Sequence, residues 1–188
     1  MKTIIKNAII LTLITLVAGT ALAVVYSITK APIEEADKKA TQEAYSIVFA
    51  NAQFEELEVK DYSDKNNSTV SAVSSAKVNG KLAGYVFTCA SKGYGGDIKL
   101  AVGIDLKGNV TGISVLDASN ETPGLGARVA EDKFTSKLKN VNKDTLRDVD
   151  AISGATYSSN GVKNAVFASL KYFNDNLKGE GKYNEKML

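Results

Sequence analysis

The residues best suited to chemistry form a run of small and hydroxylated side chains, Asp-Ala-Ile-Ser-Gly-Ala-Thr, from Asp150 to Thr156. An apolar-striped segment follows and predicts a helix, so the run lies where free backbone N–H groups and the positive end of the helix dipole suit a phosphate. Gly154 and Ala155 let a bulky group come close to the backbone, which leaves the hydroxyl of Thr156 able to carry or contact a phosphoryl group. On these residues alone, an ordinary strand–turn–helix junction is the simpler interpretation.

Two glycine-containing segments upstream are further candidates. The first is Glu-Thr-Pro-Gly-Leu-Gly, residues 121–126, in which Pro123 fixes one backbone angle while its glycines permit left-handed or crowded conformations. The second is Gly-Tyr-Gly-Gly, residues 93–96, in which Tyr94 could stack on an aromatic ligand. A surface turn and a loop tip are the corresponding structural interpretations.

The composition excludes several kinds of site. The chain of 188 residues contains no His and a single Cys, which excludes Cys/His zinc sites, His-ligated haem, Cys-ligated iron–sulfur clusters and His-based acid–base catalysis. We therefore predict no catalytic residue and no metal ligand set, and any redox chemistry must come from a cofactor held by backbone, hydroxyl and carboxylate groups. The single cysteine, Cys89, lies in a strand-like run and is expected to be a small buried hydrophobe. Beyond residue 30 the charges nearly balance, so no footprint for nucleic acid is expected.

The N-terminus predicts a membrane anchor. No charged residue occurs between Lys6 and Lys30, and a helix of that length spans about 35 Å, enough for a bilayer core of about 30 Å. Lysines precede the span, so the N-terminus is expected in the cytoplasm and the rest of the chain outside the cytoplasmic membrane. A cleaved signal peptide is the alternative, but the apolar run exceeds the usual core of about 7–15 residues. The predicted domains are an anchor over 1–30 and an extracytoplasmic domain over 31–188.

The elements that must position the candidate residues are predicted to form an α+β domain, in which helices pack on an antiparallel sheet. Pro32 is expected to end the membrane helix, followed by a polar helix over 34–48 and an irregular loop over 53–68. Strands are expected from about residue 69, with turns at Asn79-Gly80 and at Gly108-Asn109 and a bulge at Gly112.

Two helices are expected after the strands. The first is a short amphipathic helix over 127–139. The second is longer, with Ser158, Ser159 or Asn160 as its N-cap and Gly179 as its stop. Its apolar stripe consists of Val162, Ala165, Val166, Ser169, Leu170, Phe173 and Leu177.

The run that ends at Thr156 resembles the flavinylation signal of extracytoplasmic FMN-binding domains, an Asp followed shortly by Ser/Thr-Gly-Ala-Thr. The resemblance implies that Thr156 carries FMN through a phosphoester bond. It also implies that a separate flavin transferase, with FAD as donor, recognises Asp150. The implied cofactor contacts in the three segments are Ser153, Gly154, Ala155, Glu121, Thr122, Pro123, Gly124, Leu125, Gly126, Tyr94 and Gly95.

From the anchor to the last helix, the chain resembles the family of G subunits of the Rnf electron-transport complex. It is less similar to the C subunits of sodium-pumping NADH:quinone reductases, for which it is short. The resemblance implies a multi-subunit membrane complex that moves electrons between reduced ferredoxin and NAD and couples this to Na⁺ or H⁺ transport. This chain would be one relay without a complete active site, and its partners would be the other membrane, iron–sulfur and flavin subunits. An anchored binding or scaffold module without redox chemistry is the alternative from another class.

Overall fold

The structure, a computed structural model, describes residues 2–59, 62–63 and 68–178. The chain divides into two compact units, Met1–Ala40 and Thr41–Leu188. Helix α1 extends over Lys2–Val48 and so supplies residues to both units.

Helix α1 continues through Pro32, so the prediction that the helix ends there is wrong. A proline removes one backbone hydrogen bond, and residues 34–48, which are rich in Ala, Glu and Lys, favour continuation. By length and composition the helix is able to cross a membrane. Its large apolar side chains in the first unit are exposed, for example Leu22 at 70%, as expected of side chains that face lipid.

The second unit contains a six-stranded antiparallel sheet. Its strands are β1 (Ala52–Leu57), β2 (Tyr62–Ser63), β3 (Thr69–Val78), β4 (Lys81–Lys92), β5 (Asp97–Asp105) and β6 (Val110–Asp117). The strand order in the sheet is β1-β3-β4-β5-β6. Strand β2 pairs with the first two residues of β3, ahead of the part of β3 that pairs with β1. The predicted antiparallel α+β fold is confirmed.

Strand β1 contradicts the first part of the loop predicted over 53–68, of which residues 60–61 and 64–67 lie outside the described structure. It pairs along its whole length with β3. In this edge strand the polar residues Gln53, Glu55 and Glu56 are exposed, whereas the apolar residues are half-buried. The exposed face of an edge strand is often as polar as a loop, so the polar residues of β1 were mistaken for part of a loop.

The predicted turns are confirmed. Asn79 and Gly80 both have positive φ, 51° and 76°, as a two-residue hairpin of type I′ requires. Gly108, with φ 89°, lies at the tip of the β5–β6 hairpin. The bulge predicted at Gly112 lies at the adjacent Thr111, the residue left without a partner where the register shifts.

The single helix predicted over 127–139 is wrong. The segment forms a 3₁₀ turn over Gly126–Ala130, the short helix α2 over Asp132–Thr135 and a second 3₁₀ turn over Ser136–Leu138. Extended backbone at Glu131, with ψ 145°, separates the first two pieces. The strand of the strand–turn–helix interpretation is also absent, because the described residues 149–152, directly ahead of Ser153, have irregular backbone.

Helix α3 extends over Thr156–Tyr172 and is followed by a π-helical turn over Phe173–Leu177. Every residue of the predicted apolar stripe is buried. The N-cap prediction is wrong, because Ala155 is the N-cap and Ser158 and Ser159 lie inside the first turn. The predicted stop at Gly179 lies outside the described residues.

Hydrophobic side chains cover both faces of the sheet. Along β4, Tyr85, Phe87 and Cys89 belong to the cluster that includes α3, whereas Val86 belongs to the cluster that includes Tyr45 of α1. This period-two alternation is what a sheet between two layers requires. Helix α3 is thus fixed against the sheet, and its N-terminus is fixed with it.

Candidate functional site

Glu121 connects the three segments singled out in the sequence. Its side chain is only 3% exposed. Its Oε1 accepts the backbone N–H of Gly95 at 2.9 Å, and its Oε2 accepts the hydroxyl of Ser158 at 2.5 Å. Gly95 belongs to the loop between β4 and β5, Glu121 follows β6, and Ser158 lies in the first turn of α3. One carboxylate therefore holds together segments that are 26 and 37 residues away from it in sequence.

Two glycines leave room for this carboxylate. A Cβ atom on Gly93 would lie 2.3 Å from Oε1 of Glu121, and one on Gly126 would lie 2.5 Å from Oε2. Both distances are far below van der Waals contact, so any larger residue at either position would displace the carboxylate. Gly93 and Gly126 are therefore required by the close approach of Glu121.

Two tight turns form the backbone beside α3. Residues 122–125 and 152–155 each close with a hydrogen bond from the last N–H to the first carbonyl, at 3.1 and 2.9 Å. Gly124 and Gly154 occupy the third position of these turns with φ of 71° and 79°. This is the conformation that a type II turn demands, and Pro123 at the second position of the first turn favours it further.

These segments enclose a cleft of about 420 Å³, within the range of about 300–1,000 Å³ typical of small-molecule sites. The residues that line it are Tyr94, Thr122, Leu125, Gly126, Gly154, Ala155, Thr156, Tyr157 and Ser158. The other predicted contacts, Gly95, Glu121, Pro123, Gly124 and Ser153, belong to the same segments but not to the lining. The structure thus brings the three predicted segments to one place.

Thr156 is the first residue of α3, and it is exposed in the cleft. The first N–H groups of an α-helix have no acceptor within the helix. Among the described residues, no side chain caps them here. The cleft therefore presents a hydroxyl beside free backbone donors and the positive end of a helix dipole, which is a suitable environment for a phosphate.

Asp150 is exposed and lies outside the cleft lining. The residues ahead of it are attached to α3 by Lys163, whose Nζ donates to the carbonyls of Arg147 at 3.1 Å and Val149 at 2.6 Å. The segment that leads to Asp150 is therefore fixed to the same helix that begins with Thr156.

The sequence reasoning missed the roles of Tyr157 and Ser158. Tyr157 is 73% exposed, and its ring centroid is 6.2 Å from that of Tyr94. Its position directly after the candidate threonine could have indicated that Tyr157 lines the site. Ser158 was one of three predicted N-cap candidates, and nothing local in the sequence indicates its bond to Glu121.

The lining of the cleft contains no charged side chain. Within residues 2–59, 62–63 and 68–178, no group of His, Cys, Asp or Glu is arranged to hold a metal ion. Burial raises the pKa of Cys89 to about 12, so this thiol is a core residue and not a nucleophile. What the cleft offers a ligand is backbone N–H groups, hydroxyls and apolar or aromatic surface.

Comparison with known proteins identifies the family. The FMN-binding domain family matches residues 93–171, which include all three segments, and the RnfG N-terminal region matches residues 1–48. The chain is 33% identical to the G subunit of the Na(+)-translocating ferredoxin:NAD(+) oxidoreductase complex of Acetobacterium woodii, with 92% of each chain covered. It is 31% identical to the G subunit of the proton-translocating ferredoxin:NAD(+) oxidoreductase complex of Clostridium ljungdahlii, with 83% of this chain and 86% of the relative covered.

Among solved structures, the C subunit of the Na(+)-translocating NADH-quinone reductase from Parabacteroides distasonis matches with 25% identity and a TM-score of 0.47. That match covers 55% of this chain and 60% of the other. The identity and coverage of the G subunits, together with the two family matches, establish the relationship. The chain belongs to the family of G subunits of ion-translocating ferredoxin:NAD(+) oxidoreductase complexes, and its second unit contains the FMN-binding domain.

Proposed function

We propose that this chain is a membrane-anchored electron-transfer subunit that carries FMN covalently on Thr156 through a phosphoester. It would act as one relay in a ferredoxin:NAD(+) oxidoreductase complex coupled to Na⁺ or H⁺ transport. The observation that carries the proposal is the exposed hydroxyl of Thr156 at the uncapped start of α3, within the cleft that the three segments form. When bound, FMN supplies one- and two-electron transfer through its isoalloxazine ring.

The residues present fit a flavin nucleotide. The free N–H groups at the start of α3 suit its phosphate. Gly154 and Ala155 place no bulky side chain beside Thr156, and Leu125 and Gly126 offer apolar wall for a flat ring. Glu121 has both carboxylate oxygens occupied by protein groups, so we assign it to holding the walls and not to contacting the flavin.

Attachment would require a separate flavin transferase with FAD as donor. The Thr156 hydroxyl oxygen would form the new phosphoester, the pyrophosphate bond of FAD would break, AMP would leave, and the hydroxyl proton would be released. Both Thr156 and Asp150 are exposed, which supports Asp150 as part of what the transferase recognises. The proposed partners are this transferase and the other membrane, iron–sulfur and flavin subunits of the complex.

We further propose that the N-terminus lies in the cytoplasm and that the second unit lies outside the cytoplasmic membrane. Lys2 and Lys6 precede the apolar part of α1, and positive residues favour the cytoplasmic side of a membrane span. The FMN-binding domain would then carry its cofactor on the extracytoplasmic side.

The test is expression of the full chain in membranes together with a flavin transferase. Intact mass should increase by FMN less one water, and flavin fluorescence should persist in a denaturing gel. Thr156→Val is nearly isosteric and should abolish both signals, whereas Thr156→Ser retains a hydroxyl and should preserve them. Thr122→Val removes the other threonine of the lining and should leave the attachment in place.

Two results would overturn the proposal. Flavin that stays attached in Thr156→Val would show that another residue is the attachment site. A colourless wild-type chain, expressed with an active transferase, would exclude covalent FMN and favour an anchored binding or scaffold module.

A further inference from the structure

Two side chains of α3 bind the backbone of the segment that precedes the helix. Nζ of Lys163 donates to the carbonyl oxygens of Arg147 at 3.1 Å and Val149 at 2.6 Å. The hydroxyl oxygen of Ser159 accepts the N–H of Ile152 at 3.0 Å. Ser159 and Lys163 are four residues apart and therefore lie on one face of α3, on successive turns. Since the later part of the segment is bound at the earlier turn, the segment runs antiparallel along this face.

Asp150 lies between the two points at which the segment is bound. Directly ahead of it, Val149 is held through its carbonyl by Lys163. Two residues after it, Ile152 is held through its N–H by Ser159. Asp150 is itself exposed. The backbone on both sides of Asp150 is therefore fixed to α3, while its carboxylate is accessible to a partner protein.

The same helix begins with the candidate attachment residue. Thr156 and Lys163 are separated by about two turns, or about 10 Å along the helix axis. The direct connection between Asp150 and Thr156 passes through the turn that contains Gly154, whose φ is 79°. A glycine leaves the backbone more conformational freedom than any other residue, so the direct connection alone would hold the two residues loosely. The bonds from Lys163 add a second connection through the rigid helix.

Resting on the proposed attachment at Thr156 and the proposed recognition of Asp150, we propose that Lys163 is a positioning residue for flavin attachment. By binding two carbonyls of the segment, it holds Asp150 at a fixed place relative to Thr156, so that the flavin transferase engages both residues at once. Lys163 lies outside the lining of the cleft and takes no part in forming the phosphoester. Its contribution is placement, to which a reaction is sensitive because an error of about 1 Å can cost about 10²-fold in rate.

The test is the initial rate at which the full chain in detergent, purified without flavin, takes up covalent flavin from FAD with a limiting amount of flavin transferase. Flavin fluorescence in a denaturing gel measures the product. Lys163→Met keeps the length of the side chain but has no donor, and should lower the rate about tenfold. Lys163→Arg keeps N–H donors and should recover most of the lost rate. The matched control Lys137→Met removes an exposed lysine elsewhere and should leave the rate unchanged.

Two measurements separate the placement of Asp150 from a general loss of structure. Cys89, which is buried, should be as protected from thiol reagents in Lys163→Met as in the wild type. Asp150→Asn should slow the attachment by itself, and Lys163→Met should then slow it little further, because a carboxylate that is absent cannot be misplaced. A residue that only stabilises the fold would lower the rate by the same factor with and without the carboxylate of Asp150.

An unchanged rate in Lys163→Met, or a rate in Lys163→Arg as low as that in Lys163→Met, overturns the role of Lys163 and leaves the attachment at Thr156 intact. Independent losses in the double variant, or exposure of Cys89 in Lys163→Met, overturn it as well. An Asp150→Asn variant as fast as the wild type overturns the recognition of Asp150 and this role with it. Absence of covalent flavin in the wild type is a different failure, because it overturns the proposed function.

Discussion

The hydrogen bond between Glu121 and Ser158 predicts a measurable coupling free energy. Glu121→Ala removes both hydrogen bonds of the carboxylate and leaves the hydroxyl of Ser158, which is 1% exposed, without its partner. Hydrogen bonds to charged groups contribute about 1.5–3 kcal/mol each, and an unsatisfied buried polar group costs about 1–3 kcal/mol. We expect a loss of about 3–5 kcal/mol in the free energy of unfolding, which corresponds to a fall in Tm on the order of 10 °C.

Two further variants make the prediction specific. Glu121→Gln has the same shape, with one oxygen to accept from Gly95 and an NH₂ group to donate to Ser158, and should lose only about 1 kcal/mol. Ser158→Ala should be costly alone but add little to Glu121→Ala, because the partner is already gone. The double variant should therefore be more stable than the sum of the single losses predicts by about 1–3 kcal/mol.

Unfolding of the second unit can be followed by pulse labelling of Cys89, the single thiol, which is buried in the sheet. Chemical denaturation of the full chain in detergent then gives the free energy of each variant. The matched control is Glu131→Ala, which breaks only an exposed contact of 3.7 Å with Arg128 and should change stability by less than about 1 kcal/mol. Additive losses in the double variant, or a loss for Glu121→Ala as small as the control, would refute the role given to Glu121.

Two other predictions concern the second unit. A Gly→Ala change inside a helix is normally stabilising, but the new Cβ of Gly161→Ala would lie 2.6 Å from the carbonyl oxygen of Lys92. This overpacking should make the change destabilising by about 1–3 kcal/mol in chemical denaturation. A stabilised variant would contradict the close contact of α3 with β4. Cys89, whose pKa burial raises to about 12, should resist thiol reagents at pH 8 until the chain unfolds. The unfolded thiol ionises at a lower pH than the buried one, so the free energy of unfolding should decrease as the pH rises from about 9 to about 12. Rapid labelling of Cys89 in the native chain at pH 8 would contradict its burial.

Patterns in neighbouring residues correctly predicted the features that depend on neighbouring residues alone. The stripe of α3 specifies a buried face because a helix repeats every 3.6 residues, and Asn79-Gly80 specifies its turn because these residues tolerate positive φ. The segment 127–139 buries Phe134 and Leu138, as an amphipathic pattern requires, but the pattern did not indicate the break at Glu131. The spacing of apolar residues indicates which side chains are buried, whereas the continuity of a helix depends on the backbone conformation of individual residues.

Contacts between distant segments were beyond such patterns. Glu121 was placed at the site through its motif, but its partners Gly95 and Ser158 are 26 and 37 residues away. Ser158 was one of three candidates for the N-cap of α3, since its residue type favours that position. Its bond to Glu121 arises only once α3 packs on the sheet, so the tertiary fold and not local preference decides where the hydroxyl points.

The proposed attachment at Thr156 would separate the retention of the cofactor from the control of its chemistry. A phosphoester at Thr156 would join the chain far from the isoalloxazine ring, so the bond itself would leave the electronics of the ring unchanged. Any tuning of the ring must then act through space from the cleft walls, whose lining has no charged side chain. The position of those walls depends on Glu121, which lies outside the lining and fixes two of them with its two oxygens. On the proposed attachment, Thr156 would determine whether the flavin stays bound, while Glu121, through the two walls that it fixes, would determine which groups surround the flavin.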